Sequence, residues 1–129
     1  RRLYLQREVL LLQRVTPQGF WQSVTGSLDW DEQPPEAAVR ELYEETGIES
    51  NGLVDCRQQQ RFAIRPEWRA RYAPHVRENT EHVFRLELDD RVSVQLNPAE
   101  HNACLWLPID AAADKVFSWT NRDAILALL

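Results

Sequence analysis

No stretch of this 129-residue sequence is long and apolar enough to span a bilayer, which takes about 20 residues; the longest aliphatic run is Val9-Leu10-Leu11-Leu12. Its start has none of the charged-then-apolar pattern of a cleavable signal. Membrane and secretion readings therefore fall away. Only two cysteines occur, Cys56 and Cys104, in apolar strand-like segments without metal-ligand spacing. They read as a reduced, buried pair, and a cytoplasmic location is expected. Positive charge is also short: fifteen Lys plus Arg face twenty Asp plus Glu, for a net charge of −5. Such a surface repels a phosphate backbone, so nucleic acid is not an expected partner, and neither is a membrane. Low-complexity tracts and internal repeats are absent, while 43% hydrophobic and 27% charged residues are the balance of a folded globular domain. At this length a single domain, 1–129, is expected.

Two neighbouring strands are predicted at Glu8–Gln13 and Trp21–Thr25, on either side of a loop containing Thr16-Pro17-Gln18-Gly19. Pro34-Pro35 suits a helix start, Glu36–Thr46 lacks breakers, and Gly47 is a natural residue to end it. Ala38, Leu42 and Val39 form its expected apolar stripe, with the charged face turned outward into a cleft. Strands follow at Leu53–Ile64, Thr80–Leu88, Val92–Leu96 and Ala103–Leu107, the second placing His82, Phe84, Leu86 and Leu88 on one face. Ile109–Asp114 and Asn121–Leu129 read as helices, the latter with Thr120 as N-cap. The order predicts a mixed sheet covered by helices, an α+β fold. Between Pro66 and Asn79 runs a long, Arg-rich and aromatic loop of the kind that is often functional.

Chemistry concentrates in Gly26 to Ile48. On a helix, Glu41, Glu44 and Glu45 stand at i, i+3 and i+4, so their carboxylates cluster within about one turn. Three like charges repel unless cations neutralise them, and hard divalent ions suit a ligand set made of oxygens. Taken alone, such a run is more often a solvated helix face. The wider spacing changes that balance. Gly26, Glu32, Arg40, Glu41, Leu42, Glu44, Glu45, Gly47 and Ile48 fit G-x5-E-x7-R-E-U-x-E-E-x-G-U, with U aliphatic, at all nine specified positions. By average residue usage, chance agreement at a given start is on the order of 10⁻⁹.

On these residues the sequence resembles the Nudix hydrolase family. The resemblance implies a Nudix fold, an α/β/α sandwich with a mixed sheet and a catalytic loop-helix-loop. It also implies hydrolysis of a diphosphate linked to another group, with Mg²⁺ as cofactor and Mn²⁺ as the alternative. Glu41, Glu44 and Glu45 would be the catalytic metal ligands, the Gly26 carbonyl would add an oxygen, and Glu32, Arg40 and Gly47 would hold the motif together.

Outside the motif, Phe20–Ser27, Arg71–Pro74, Asn79–Glu81 and Ser118–Arg122 look like segments of the pterin-triphosphate-cleaving branch of that family. This likeness implies Glu100 as a further metal ligand. It also implies substrate contacts at Arg14, Thr25 and Ser118 and along Phe62, Ala63, Ile64 and Arg65. The expected partner is a small triphosphate, pterin or nucleotide, on a monomer or weak homodimer. A nucleoside triphosphate pyrophosphatase and a non-catalytic binding module remain the alternatives, the second disfavoured by an intact motif. The histidines His75, His82 and His101 lack ligand spacing and are expected to be non-ligands. Core packing is the commoner fate of Trp21, Trp68, Tyr72 and Trp119, with stacking on a flat heterocycle as the other use; Trp106 reads as core. The family's sheet usually includes a strand ahead of Val9. Only Leu3-Tyr4-Leu5 remains here to supply it, so that strand is expected to be incomplete.

Overall fold

The computed structural model describes residues 7–26, 31–50, 52–63 and 78–129. Leu3-Tyr4-Leu5, Ile64, Arg65 and the loop containing Trp68 and Tyr72 lie outside the described residues.

The aliphatic run forms β1, Glu8–Arg14, in the middle of a three-stranded sheet between β2, Trp21–Gln22, and β5, His101–Pro108. That place explains a run rather than an alternation: both faces of a central strand are covered, and Leu11 and Leu12 are each fully buried. Both pairings are antiparallel, and β1 meets β5 from Glu8 opposite Pro108 to Arg14 opposite His101. A second antiparallel pair joins β3, Val54–Ala63, to β4, Glu78–Arg85. Among the described residues the parallel component expected of a mixed sheet is confined to the bridge between Trp21 and Val116.

Among the described residues, three helices complete the α+β arrangement: α1, Pro34–Thr46, α2, Ile109–Lys115, and α3, Trp119–Leu126. Leu11 packs with Ile109, Ala112 and Ala113 of α2 and Ile125 of α3, and Val9, Trp21, Leu107 and Val116 close around them. None of the described helices is long and apolar enough to cross a membrane.

Several expectations are corrected. The second strand stops at Gln22 rather than Thr25, because the Ser23 amide leaves the ladder to donate to Asn121 Oδ1 at 2.9 Å. Val92–Leu96 forms no strand: Gln95 donates its amide to the Thr46 carbonyl at 2.8 Å, tying this segment to the end of α1. The strand ending at Arg85 leaves Leu86 and Leu88 beyond it, with Leu88 exposed. Ser118, not Thr120, caps α3; its backbone is extended and its hydroxyl accepts the Asn121 amide. The free cysteines are half-buried rather than buried.

Candidate functional site

Two prolines in its first turn and Gly47 after its last set the limits of α1. Gly47 adopts a left-handed φ of 76° and donates its amide to the Tyr43 carbonyl at 2.8 Å, a conformation that a side chain would strain. Just before it, the Thr46 hydroxyl donates to the Leu42 carbonyl at 2.6 Å and accepts the Ile48 amide at 3.1 Å.

The face that α1 buries is not the expected one. Ala37, Glu45 and Thr46 are buried, whereas Val39 and Tyr43 are exposed. Ala37, Glu41 and Glu45 follow one another at i, i+4 and i+8, so a line of the motif's own carboxylates turns inward. The three glutamates therefore meet different surroundings: the Glu44 side chain is 55% exposed, that of Glu41 is 18% exposed and that of Glu45 is 3% exposed.

Arg40 manages much of this charge. Its guanidinium grips Glu32 through two hydrogen bonds of 2.8 Å, and its Nη1 also donates to Glu41 at 2.9 Å and Glu44 at 3.1 Å. The planar fork matches a carboxylate through two parallel bonds, which a lysine could not do. The loop before α1 is thereby clamped to the helix at Glu32. Gly26 comes close to Glu41 from the other side: a Cβ placed there would lie 2.0 Å from the Glu41 Cδ. The absence of a side chain at position 26 is what admits the Glu41 carboxyl.

Glu45 receives no such clamp. Both its carboxyl oxygens are buried, and neither makes a hydrogen bond of good geometry among the described residues. Burial first, then a side-chain hydrogen bond with the Glu41 carboxyl and the charges of Glu41 and Glu100, push its pKa up to about 9, and the Thr25 backbone opposes this only in part. A buried carboxyl left this way carries a cost of folding that a cation would relieve.

Opposite Glu45 is the start of β5. The Asn97 carbonyl accepts the amides of both Glu100 and His101, and its side chain accepts that of Ala99, closing a turn. The Glu100 carbonyl accepts the Val15 amide at 3.0 Å, docking the turn on the end of β1. Glu45, Glu100 and His101 thus place one donor atom each within 4.8 Å of one another, although 55 residues of chain separate Glu45 from Glu100.

His101 is 3% exposed, with Nε2 3.7 Å from Glu45 Oε1 and 3.4 Å from Gln22 Nε2. Desolvation lowers its pKa, the Glu100 carboxylate pulling the other way. Gln22, itself buried, accepts from Arg14 Nη1 at 3.5 Å, and Arg14 Nε donates to the Thr16 carbonyl.

The structure brings Gly26, Glu41, Glu45 and Glu100 to one region and holds Glu44 on its exposed, Arg40-bound side. Ser118 uses its hydroxyl to cap α3 and to hydrogen-bond Thr120 at 2.8 Å. Asn121, next on that helix, binds Ser23 through both ends of its amide, bringing the start of α3 beside the segment that carries Thr25. Phe62 and Ala63 end β3, opposite Asn79 and Glu78. Trp21 is half-buried against the core with Lys115 over its ring, and Trp119 is exposed. Gln22 went unmarked in the sequence and His101 was expected to be a non-ligand, because neither belongs to a spaced motif. Only the pairing of β1 with β2 and β5 brings them together.

The NUDIX domain family matches residues 3–128. The chain belongs to the Nudix family. This Nudix protein is 44% identical over 123 residues to the dihydroneopterin triphosphate diphosphatase of Escherichia coli, covering 92% of this chain and 81% of that one. The protein of the same name from Haemophilus influenzae is 37% identical over 121 residues, with 91% and 75% covered. The solved structure of the E. coli dihydroneopterin triphosphate pyrophosphohydrolase superposes with a TM-score of 0.87 at 43% identity, covering 93% of this chain and 84% of that one.

Proposed function

We propose that this Nudix protein, as one domain over residues 1–129, hydrolyses dihydroneopterin triphosphate to dihydroneopterin monophosphate and pyrophosphate, a step of folate biosynthesis. The observation that carries the reading is identity of 44% sustained over 92% of the chain, well beyond the 23-residue motif that many Nudix proteins share. In this reaction water adds across the bond between the α and β phosphates and pyrophosphate leaves.

The donor set fits a hard divalent ion: Glu45 is buried with neither oxygen in a hydrogen bond of good geometry, and Glu100 approaches it from a turn. Glu41, Glu44, Glu45, Glu100 and the Gly26 carbonyl are the residues that would hold Mg²⁺, or Mn²⁺ in its place. When bound, such an ion supplies positive charge to phosphate oxygens and makes a bound water more acidic.

The chain's remaining contributions concern position. Arg40 and Glu32 keep the loop that carries Gly26 against α1, so the Glu41 carboxyl stays where the glycine admits it. Arg14, at the end of β1, offers a guanidinium suited to phosphate oxygens. Thr25 and Ser118 would be the substrate contacts at this end, supported by the bonds between Ser23 and Asn121 that bring the start of α3 beside the segment carrying Thr25. Phe62, Ala63, Ile64 and Arg65 are the residues that would contact the pterin.

The test is a side-by-side Mg²⁺ assay of freshly prepared dihydroneopterin triphosphate against nucleoside triphosphates including 8-oxo-dGTP, following pyrophosphate and phosphate separately. A pterin preference with pyrophosphate as the product supports the reading. Faster turnover of a nucleotide replaces the substrate and keeps the chemistry, and no cleavage of any triphosphate leaves a binding module.

A further inference from the structure

Among the described residues, the group that could hold a cation contains one member, His101, that neither the motif nor the wider resemblance supplies. His101 sits at the first position of β5, 3% exposed, beside Glu45 and Glu100, with the donor atoms of all three within 4.8 Å of one another. Its Nδ1 is buried without a hydrogen-bond partner, and neither oxygen of Glu45 makes a hydrogen bond of good geometry. Two carboxylate oxygens without a well-formed hydrogen bond on an almost fully buried residue are rare in a folded protein and call for a ligand.

The chain of contacts also indicates which ring nitrogen has a lone pair to give. Gln22 accepts from Arg14 through its Oε1, so its Nε2 is the amide end that points at His101. An amide nitrogen only donates, so His101 Nε2 is the acceptor and the ring proton lies on Nδ1. That nitrogen has one lone pair, which accepts from Gln22 here, and Glu45 Oε1 lies 3.7 Å from the same atom. Donors sharing one ion at bond lengths of about 2.1 Å stand about 3 Å apart in cis positions and about 4.2 Å apart in trans. A separation of 3.7 Å falls between these, and the 3.4 Å contact with Gln22 is long enough to give way cheaply.

We infer that His101 is a nitrogen ligand of the divalent ion held by Glu45 and Glu100, so that the site favours Mn²⁺ and the later first-row ions over Mg²⁺. The inference rests on the proposed hydrolase reading only in placing an ion at Glu45. An imidazole suits a transition-metal ion, whereas Mg²⁺ prefers oxygens and water. His101 thereby sets which ion the site takes, a property that the glutamates alone do not confer.

The test uses untagged protein with Mn²⁺ alone, without substrate, and needs no variant for its main result. Pulsed electron paramagnetic resonance of the bound Mn²⁺ should show nitrogen hyperfine modulation, and this should change when the protein is made with ¹⁵N-histidine. In His101→Gln the modulation should disappear, and by calorimetry the Mn²⁺ affinity should fall about 10-fold or more while that for Mg²⁺ changes by less than about 3-fold. Mn²⁺ that binds wild type but not Glu45→Gln, without nitrogen modulation, overturns the ligand role of His101 and leaves the carboxylate site standing. Modulation that survives in His101→Gln assigns the nitrogen to another histidine and also overturns it. Equal Mn²⁺ binding by wild type and Glu45→Gln removes the ion site and the inference together.

Discussion

Replacing Glu45 by glutamine should stabilise the metal-free protein while disabling it. The carboxyl is buried without a hydrogen bond of good geometry, and its pKa is pushed from 4.5 up to about 9. Below pH 4.5 the group is protonated in both folded and unfolded chains and the raised pKa has no effect on stability. Above it the unfolded chain releases the proton and the folded one retains it, so stability falls steadily until about pH 9. At pH 7 the gap from 4.5 is 2.5 pH units, which at about 1.4 kcal/mol each is on the order of 3 kcal/mol. Glutamine has no proton to retain but leaves an amide to satisfy, so a net gain of about 1–3 kcal/mol is expected, or about 4–12 °C in Tm. The gain should shrink to under about 1 kcal/mol at pH 5. Thermal melts in EDTA from pH 5 to 8, compared with melts in Mg²⁺ or Mn²⁺, read this directly. Wild type should gain stability on adding the ion and Glu45→Gln should not, while its turnover drops about 100-fold or more. A lower Tm for the variant at pH 7 and 8, or a gain that is the same at every pH, would show that Glu45 is not a carboxyl held at a cost.

Gly26→Ala should leave the melting temperature within about 3 °C of wild type, since the displaced neighbour is the end of a flexible side chain, yet reduce kcat/KM about 10-fold or more by moving the Glu41 carboxyl; wild-type kinetics would remove Glu41 from the site. Arg40→Ala should cost about 2 kcal/mol in urea unfolding because Glu32 and Glu41 lose their cation, and Arg40→Lys should recover only part of it, because a point charge cannot hold Glu32 through two parallel bonds. Equal stability of the lysine variant and wild type would contradict the clamp. Ser118→Ala should cost about 1 kcal/mol through loss of the α3 cap. If the hydroxyl also touches substrate, KM rises more than kcat falls, and unchanged kinetics would restrict Ser118 to the cap.

Local signals carried the helix, the aliphatic strand and the motif. Pro34-Pro35 and Gly47 bracket α1 because each has a backbone preference that acts without neighbours. The run Leu10-Leu11-Leu12 signals a strand covered on both faces, and the spacing of Arg40 from Glu44 foretells an ion pair, because i, i+4 geometry and charge are properties of the local chain, whereas the tie to Glu32 came from the family resemblance. Tertiary packing decided the rest. Which side of α1 turns inward depends on what it rests against, so the apolar stripe was misplaced by one residue and the burial of Glu45 went unseen. The ends of β2 and the loss of a strand at Val92–Leu96 depend on distant acceptors, Asn121 and Thr46. The meeting of Glu45 with Glu100 and His101 joins a helix to a strand start 55 residues later, and no periodicity spans that distance. Sequence alone named the carboxylates, since their spacing is helical. Only the fold could show that one of them is buried beside a histidine, since burial is a property of what surrounds a residue.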